Sequence, residues 1–153
     1  MLEKVTIEFF ASFFLWIMFA GIFVLWLYDG KIKREQAFHA LFAGVLAWTL
    51  AWIIKSIFPT LRPFQLNGKE AFVLFPLTDG SFPSGHAATA FSMAWTIWKH
   101  NKKIGAIYLL SAFAVGISRV LANVHYPIDI FAGGILGIIV SNLVRKIHFK
   151  KQG

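Results

Sequence analysis

The sequence contains no cysteine and only seven acidic residues. Without cysteine there is no disulfide scaffold, no thiolate nucleophile and no thiolate metal site. The scarce carboxylates form no cluster of the kind that holds a hard divalent cation. Charge is thin altogether: 14% of the 153 residues, where a soluble domain carries about 25%. What is present instead is apolar, 58% hydrophobic and 17% aromatic. The net charge of +8 does not form one basic stripe, which argues against nucleic acid as a partner. The basic residues sit in short clusters between apolar runs, the distribution of a membrane protein with a topological bias. One domain, 1–153, fills the chain.

Five apolar segments predict an all-α membrane bundle. Phe9 to Tyr28 is an apolar run of 20 residues, about enough to cross a ~30 Å hydrocarbon core. It is too long for the core of a cleavable signal, and no small-residue cleavage site follows it, so a retained first span is expected. Further spans are expected from Ala37 to about Ile54, from Ser84 to before Lys99, from about Ile104 to Ala122, and from near Pro127 to before Arg145. The third is short, and its N-terminal end is expected to lie below the membrane surface, at headgroup depth. In the fifth, Gly133 and Gly137 with Ala132 and Gly134 predict close internal helix packing. No internal repeat or low-complexity segment interrupts the pattern.

Ten of the fifteen lysines and arginines fall on one side of these spans: Lys31, Lys33, Arg34, Lys99, Lys102, Lys103, Arg145, Lys146, Lys150 and Lys151. The positive-inside rule makes that side cytoplasmic. The expected topology has the N-terminus outside and the C-terminus inside the cytoplasmic membrane. The single long connection, from Phe58 to Pro83, then faces outward with Asn67-Gly68 and Asp79-Gly80 turns. Its apolar stretch Ala71 to Pro76 is either a plain surface loop or a cover lying in the interface.

Three polar islands flank the spans on the outward side. Lys55 and Arg62-Pro63 offer a compact cation and a forked donor that grips two phosphate oxygens; a lysine that merely ends a span by snorkelling is the alternative. Pro83-Ser84-Gly85-His86 has the form of a helix start, with Ser84 as N-cap and Gly85 giving close backbone access. Unpaired N–H groups there suit an oxyanion, although a plain cap followed by an interfacial histidine reads equally from these residues. Ser118-Arg119 lies late in the fourth span, where an unpaired cation costs roughly 2.5–3.5 kcal/mol at mid-membrane. His125 and Asp129 share one face if the fifth helix begins near His125. They are either a carboxylate-oriented nucleophile or a structural pair.

Taken in order, Lys-x6-Arg-Pro, Pro-Ser-Gly-His and Ser-Arg-x5-His-x3-Asp resemble the signature of the type 2 phosphatidic acid phosphatase (PAP2) family, over half of the chain. The resemblance implies a PAP2/haloperoxidase-like core and a metal-independent lipid phosphatase without cofactor. It implies that His125 is the nucleophile, Asp129 its orienting partner and His86 the general acid. It also implies that Lys55, Arg62, Ser84, Gly85 and Arg119 cradle the phosphate. Family members of the membrane typically have six spans with the N-terminus inside, so five here place it outside, in agreement with the charge count. A lipid mono- or diphosphate at the outer face is the expected substrate, with undecaprenyl diphosphate preferred and phosphatidylglycerophosphate, phosphatidic acid and lipid A phosphate as alternatives. A non-catalytic lipid-binding protein and a vanadate-dependent oxidant are the remote readings. Oligomeric state is not legible.

Overall fold

The computed structural model describes residues 2–28, 34–75 and 77–146, and every regular element among them is helical. Two helices, α1 (Leu2–Ser12) and α2 (Phe14–Tyr28), precede the long α3 (Arg34–Ile57). A short α4 (Pro63–Asn67) lies in the long connection, followed by α5 (Gly85–His100), α6 (Lys102–Leu121) and α7 (Pro127–Val144). Helices α3, α6 and α7 are each long and apolar enough to cross a membrane, and α1 with α2 forms a fourth candidate, bent by 52°. With 16 residues, α5 spans about 24 Å, matching the short third span read from the sequence. It is the central helix, packed against α3, α6 and α7.

The expectation of one unbroken helix from Phe9 to Tyr28 is corrected. The chain breaks at Phe13, and beside the break the carbonyl of Ala11 accepts a 2.7 Å hydrogen bond from Arg119 Nη1. A charge-assisted bond to a backbone carbonyl is a strong local competitor of helical continuation, and the helix bends where it is made. The α4 turn was also unforeseen. It starts at Pro63, whose fixed φ suits a first helical position, and ends on Gly68 in the left-handed region at φ +67°.

Small residues set the helix spacing. Ala43, Ala47 and Ala51 recur every fourth residue on α3 and are fully buried with Ala88 of α5. Across from them, the expected close approach of α7 is realised inside the chain. A Cβ built on Gly133 would stand 2.5 Å from the Ser84 carbonyl oxygen, and one on Gly137 only 2.2 Å from that of Ala88. The start of α5 is further tied to α7 by Ser84 N–H donating to the Asp129 carbonyl at 3.0 Å. Backbone contact of this kind replaces the hydrophobic drive that lipid cannot supply.

The connection from 58 to 84 folds onto the same end of the bundle. Ala71, Phe72, Val73 and Leu77 pack against Ala11, Ala122 and Val124, while Leu74 and Phe75 face outward; Pro76 lies outside the described residues. Asn123, at φ +62°, closes the turn after α6 and donates to Asn67, Lys69 and Glu70. Of the ten clustered cations, Arg34, Lys99, Lys102, Lys103, Arg145 and Lys146 are described and lie at the opposite ends of these helices. Lys31, Lys33, Lys150 and Lys151 lie outside the described residues. Lys99 sits over Trp95 at 4.8 Å and Lys102 over Trp98 at 4.4 Å, the pairing of snorkelling cations with interfacial aromatics.

Because Gly137 meets backbone and not a movable side chain, Gly137→Ala must push α7 off α5. We expect a loss of about 1–3 kcal/mol, the usual range for overpacking. It is read as a lower thermal midpoint in detergent. Gly134→Ala meets only the Phe91 ring at 3.4 Å and should shift the midpoint far less.

Candidate active site

The alternation of α3, α5, α6 and α7 brings one end of each helix to a common place. Lys55 comes from the last turn of α3 and is buried. Arg62, fully buried, comes from the turn that doubles back before α4. Both point at the Asp79-Gly80 turn. Lys55 Nζ donates to Asp79 Oδ2 and to the Gly80 carbonyl, each at 2.9 Å. Arg62 Nη2 donates to Asp79 Oδ1 at 2.7 Å and to the Gly80 carbonyl at 3.1 Å, and its Nε to the Asp79 carbonyl at 3.1 Å. Burial pushes the Asp79 pKa up, but the ion pairs with Lys55 and Arg62 outweigh it and hold the carboxyl below its ordinary value. Gly80 permits this approach, since a Cβ there would lie 3.2 Å from the Thr60 nitrogen.

Arg119 supplies the third cation, from the last turn of α6, and is buried. One end of its guanidinium is fixed on Ala11, while Nε has no hydrogen-bond partner among the described residues. A buried charged donor left open is costly unless something fills it.

His125 does not lie on α7. That helix begins at Pro127 with Tyr126 as its N-cap, because proline suits the first turn, so the expected shared helical face is replaced by a turn. The pair still meets: His125 Nδ1 stands 3.3 Å from Asp129 Oδ2. The same carboxylate oxygen accepts the Tyr126 N–H at 2.9 Å and the hydroxyl of Ser81. With Nδ1–H directed at a fixed carboxylate, Nε2 keeps its lone pair. It faces Arg62 Nη1 at 3.3 Å. Burial, opposed by the Asp129 bond and reinforced by Arg119, Arg62 and Lys55, pushes the His125 imidazole down to about 4. The ring is therefore neutral at pH 7.

Ser84 caps α5 as expected, its Oγ accepting from Ala87 N–H at 3.3 Å. The next two residues, Gly85 and His86, open onto a cavity. His86 packs against Trp48 with ring centroids 5.1 Å apart. The cavity is lined by Lys55, Arg62, Asp79, Gly85, His86, Arg119 and His125, with Trp48, Trp52 and Leu77 as the apolar wall. Its volume is about 110 Å³, well under the ~300–1,000 Å³ of pockets that enclose a whole drug-sized ligand. A headgroup fits; a lipid does not. Six of the eight sequence-predicted site residues thus share one cavity, and Ser84 and Asp129 stand behind it as supports.

Sequence reasoning missed four residues here. Asp79 read only as part of the Asp79-Gly80 turn and Ser81 was not singled out, neither having a local signal of what it would touch. Trp48 and Trp52 did carry one: with Lys55 they recur at intervals of four and three along α3, placing indoles and cation on one face. Among the described residues no group of three or more His, Cys, Asp or Glu side chains could hold a metal ion.

Known proteins resemble this chain in sequence and in fold. The chain is 35% identical over 134 residues to the bacitracin transport permease protein BcrC of Bacillus licheniformis, covering 88% of this chain and 66% of that protein. It is 26% identical to the undecaprenyl-diphosphatase BcrC of Bacillus subtilis, covering 80% and 63%. The chain therefore spans just under two thirds of the length of these curated relatives. Its structure superposes on Aquifex aeolicus LpxE with a TM-score of 0.80 at 31% identity, covering 95% of this chain and 87% of that one. A PAP2-type phosphatidylglycerolphosphate phosphatase from Bacillus subtilis matches with a TM-score of 0.59 at 26% identity, covering 90% and 70%. The PAP2 superfamily model itself matches residues 36–152, three of whose helices carry the cavity just described, and the chain belongs to that superfamily.

Proposed function

We propose that this chain is a membrane lipid phosphatase that removes the terminal phosphate of a lipid mono- or diphosphate, with undecaprenyl diphosphate as the preferred substrate. The observation that carries the reading is the convergence of three cations and two histidines on one headgroup-sized cavity. Names of the relatives support the substrate class, since one is an undecaprenyl-diphosphatase. Phosphatidylglycerophosphate and lipid A phosphate follow in order, because relatives act on these too by name.

The geometry supports a two-step transfer. Neutral His125 attacks phosphorus through Nε2, the bond from phosphorus to the leaving oxygen breaks (the bridging oxygen of a diphosphate or the ester oxygen of a monophosphate), and His86, entering the step as imidazolium, gives its proton to that oxygen. The phosphoryl group then rests on His125 as a phosphohistidine. Water next attacks the phosphorus, His86 takes the water's proton, and the P–N bond breaks to release inorganic phosphate. Lys55, Arg62 and Arg119 stabilise the charge on the equatorial oxygens in both steps. Gly85 leaves room for those oxygens beside the start of α5. Asp129, held by Ser81 and Tyr126, keeps Nδ1 protonated and the ring aimed.

An in-line attack puts the lipid oxygen on the His86 side of the phosphorus. The wall on that side is Trp48, and Trp52 stands one turn further along α3, both exposed at the surface of the bundle. The lipid tail accordingly leaves sideways over these indoles into the bilayer. The cationic ends of the helices opposite the cavity support an outward-facing site by the positive-inside rule.

Purified protein is expected to release phosphate from undecaprenyl diphosphate in the presence of EDTA. His125→Ala should reduce the rate by at least about 10³-fold, the scale seen when a nucleophile is removed. Release that survives this substitution at the parent rate refutes the mechanism. A titration of ¹⁵N-labelled histidine by NMR should find the His125 ring neutral from pH 7 down to about 4; protonation near the ordinary value of about 6.5 would contradict the assigned resting state. Trp52→Ala should lower the ratio of kcat/KM for a long-chain lipid phosphate to that for a short water-soluble phosphate ester by roughly tenfold. An unchanged ratio would place the tail elsewhere.

A further inference from the structure

The two histidines of the cavity are supported in different ways. His125 has a carboxylate within reach, Asp129 Oδ2 at 3.3 Å. His86 has none: its ring makes no hydrogen bond among the described residues. It is packed instead against the indole of Trp48, with ring centroids 5.1 Å apart and planes inclined by 59°. The same indole extends over the preceding residue, where a Cβ built on Gly85 would stand 3.6 Å from Trp48 Cε3. Trp48 of α3 thus lies across the first turn of α5. The other charged and titratable groups that line the cavity are Lys55 from α3, Arg62 and Asp79 from the long connection, Arg119 from α6 and His125 from the turn before α7. The one carboxylate among them is bonded to Lys55 and Arg62. An imidazolium at His86 therefore shares its cavity with three cations and has no carboxylate of its own.

We propose that Trp48 is a positioning residue for the proton donor, its indole holding the His86 ring at the cavity and favouring the imidazolium form. The inference rests on the reading of His86 as the general acid. A cation within about 6 Å of an aromatic centroid is drawn to the negative face of the ring, and tryptophan attracts it best. The His86 ring lies inside that range. A carboxylate in the same place would support an imidazolium equally well, but it would also repel the incoming phosphate. An indole carries no net charge, so it favours the acid without opposing the substrate. Trp48 itself exchanges no proton: His86 gives one to the leaving oxygen and takes one back from water.

The test compares kcat/KM for phenyl phosphate and 4-nitrophenyl phosphate, two soluble esters of similar size that lack a lipid tail. Phenolate is the more basic leaving group and needs the proton, whereas 4-nitrophenolate departs unassisted, so only the first reaction passes through the acid. In Trp48→Leu, kcat/KM for phenyl phosphate should fall about tenfold and that for 4-nitrophenyl phosphate much less. Trp48→Phe, which keeps an aromatic face, should recover most of the difference. Trp48→Met serves as a second non-aromatic variant should the leucine protein fail to fold. His86→Ala should widen the ratio of the two esters further, and adding Trp48→Leu to it should leave that ratio where it is. A side chain that only packs would instead lower the thermal midpoint and slow both esters alike. An unchanged ratio in a folded, active Trp48→Leu protein, beside a widened one in His86→Ala, overturns this inference alone. If His86→Ala itself leaves the ratio unaltered, the reading of His86 as the acid falls and this with it.

Discussion

The close backbone approach of α5 to α7 is the constraint on which the site depends. Gly133 and Gly137 of α7 lie over the Ser84 and Ala88 carbonyls, and Ser84 N–H bonds to the Asp129 carbonyl. That contact fixes the histidine of one island relative to the histidine and carboxylate of another. Neither side chain takes part in it. With helices this near, no intervening side chain can slip between the start of α5 and the turn before α7. The separation of His86 from His125 is therefore set by main chain, which varies less than rotamers do.

Around this pair the protein solves a charge problem in a poor dielectric. Three cations gathered at one end of a membrane bundle would repel one another and lack water. Two answers are used: Lys55 and Arg62 share the Asp79-Gly80 turn, and Arg119 takes a backbone carbonyl from α1. The long connection earns its length here. It packs its apolar residues on Ala11, Ala122 and Val124 and so delivers Asp79, Gly80 and Ser81 to the cations and to Asp129.

Much of this was legible beforehand. Apolar runs located α3, α5, α6 and α7 to within about three residues, since a membrane allows little besides helices. Lys55, Arg62, His86, Arg119 and His125 could be named because their types are expensive in such a setting and their spacing resembled a known signature. The break at Phe13 was not readable, because its cause is Arg119, more than a hundred positions away. Asp79 and Ser81 were hidden for the same reason: a turn sequence such as Asp-Gly specifies a bend and says nothing of the side chains waiting beside it. A shared helical face for His125 and Asp129 depended on a helix start near His125, whereas α7 begins at Pro127; the two still meet, because a carboxylate at the third helical position naturally reaches back to the residues before the first.

The tether between Arg119 and Ala11 carries one further meaning. An arginine reaching freely into solvent would surrender several rotatable bonds each time it gripped an anion. Here that ordering happened once, when the chain folded, and every later encounter meets a guanidinium whose direction is already decided. The bent amino-terminal helix, which contributes no reactive group, is thus what keeps the third cation ready.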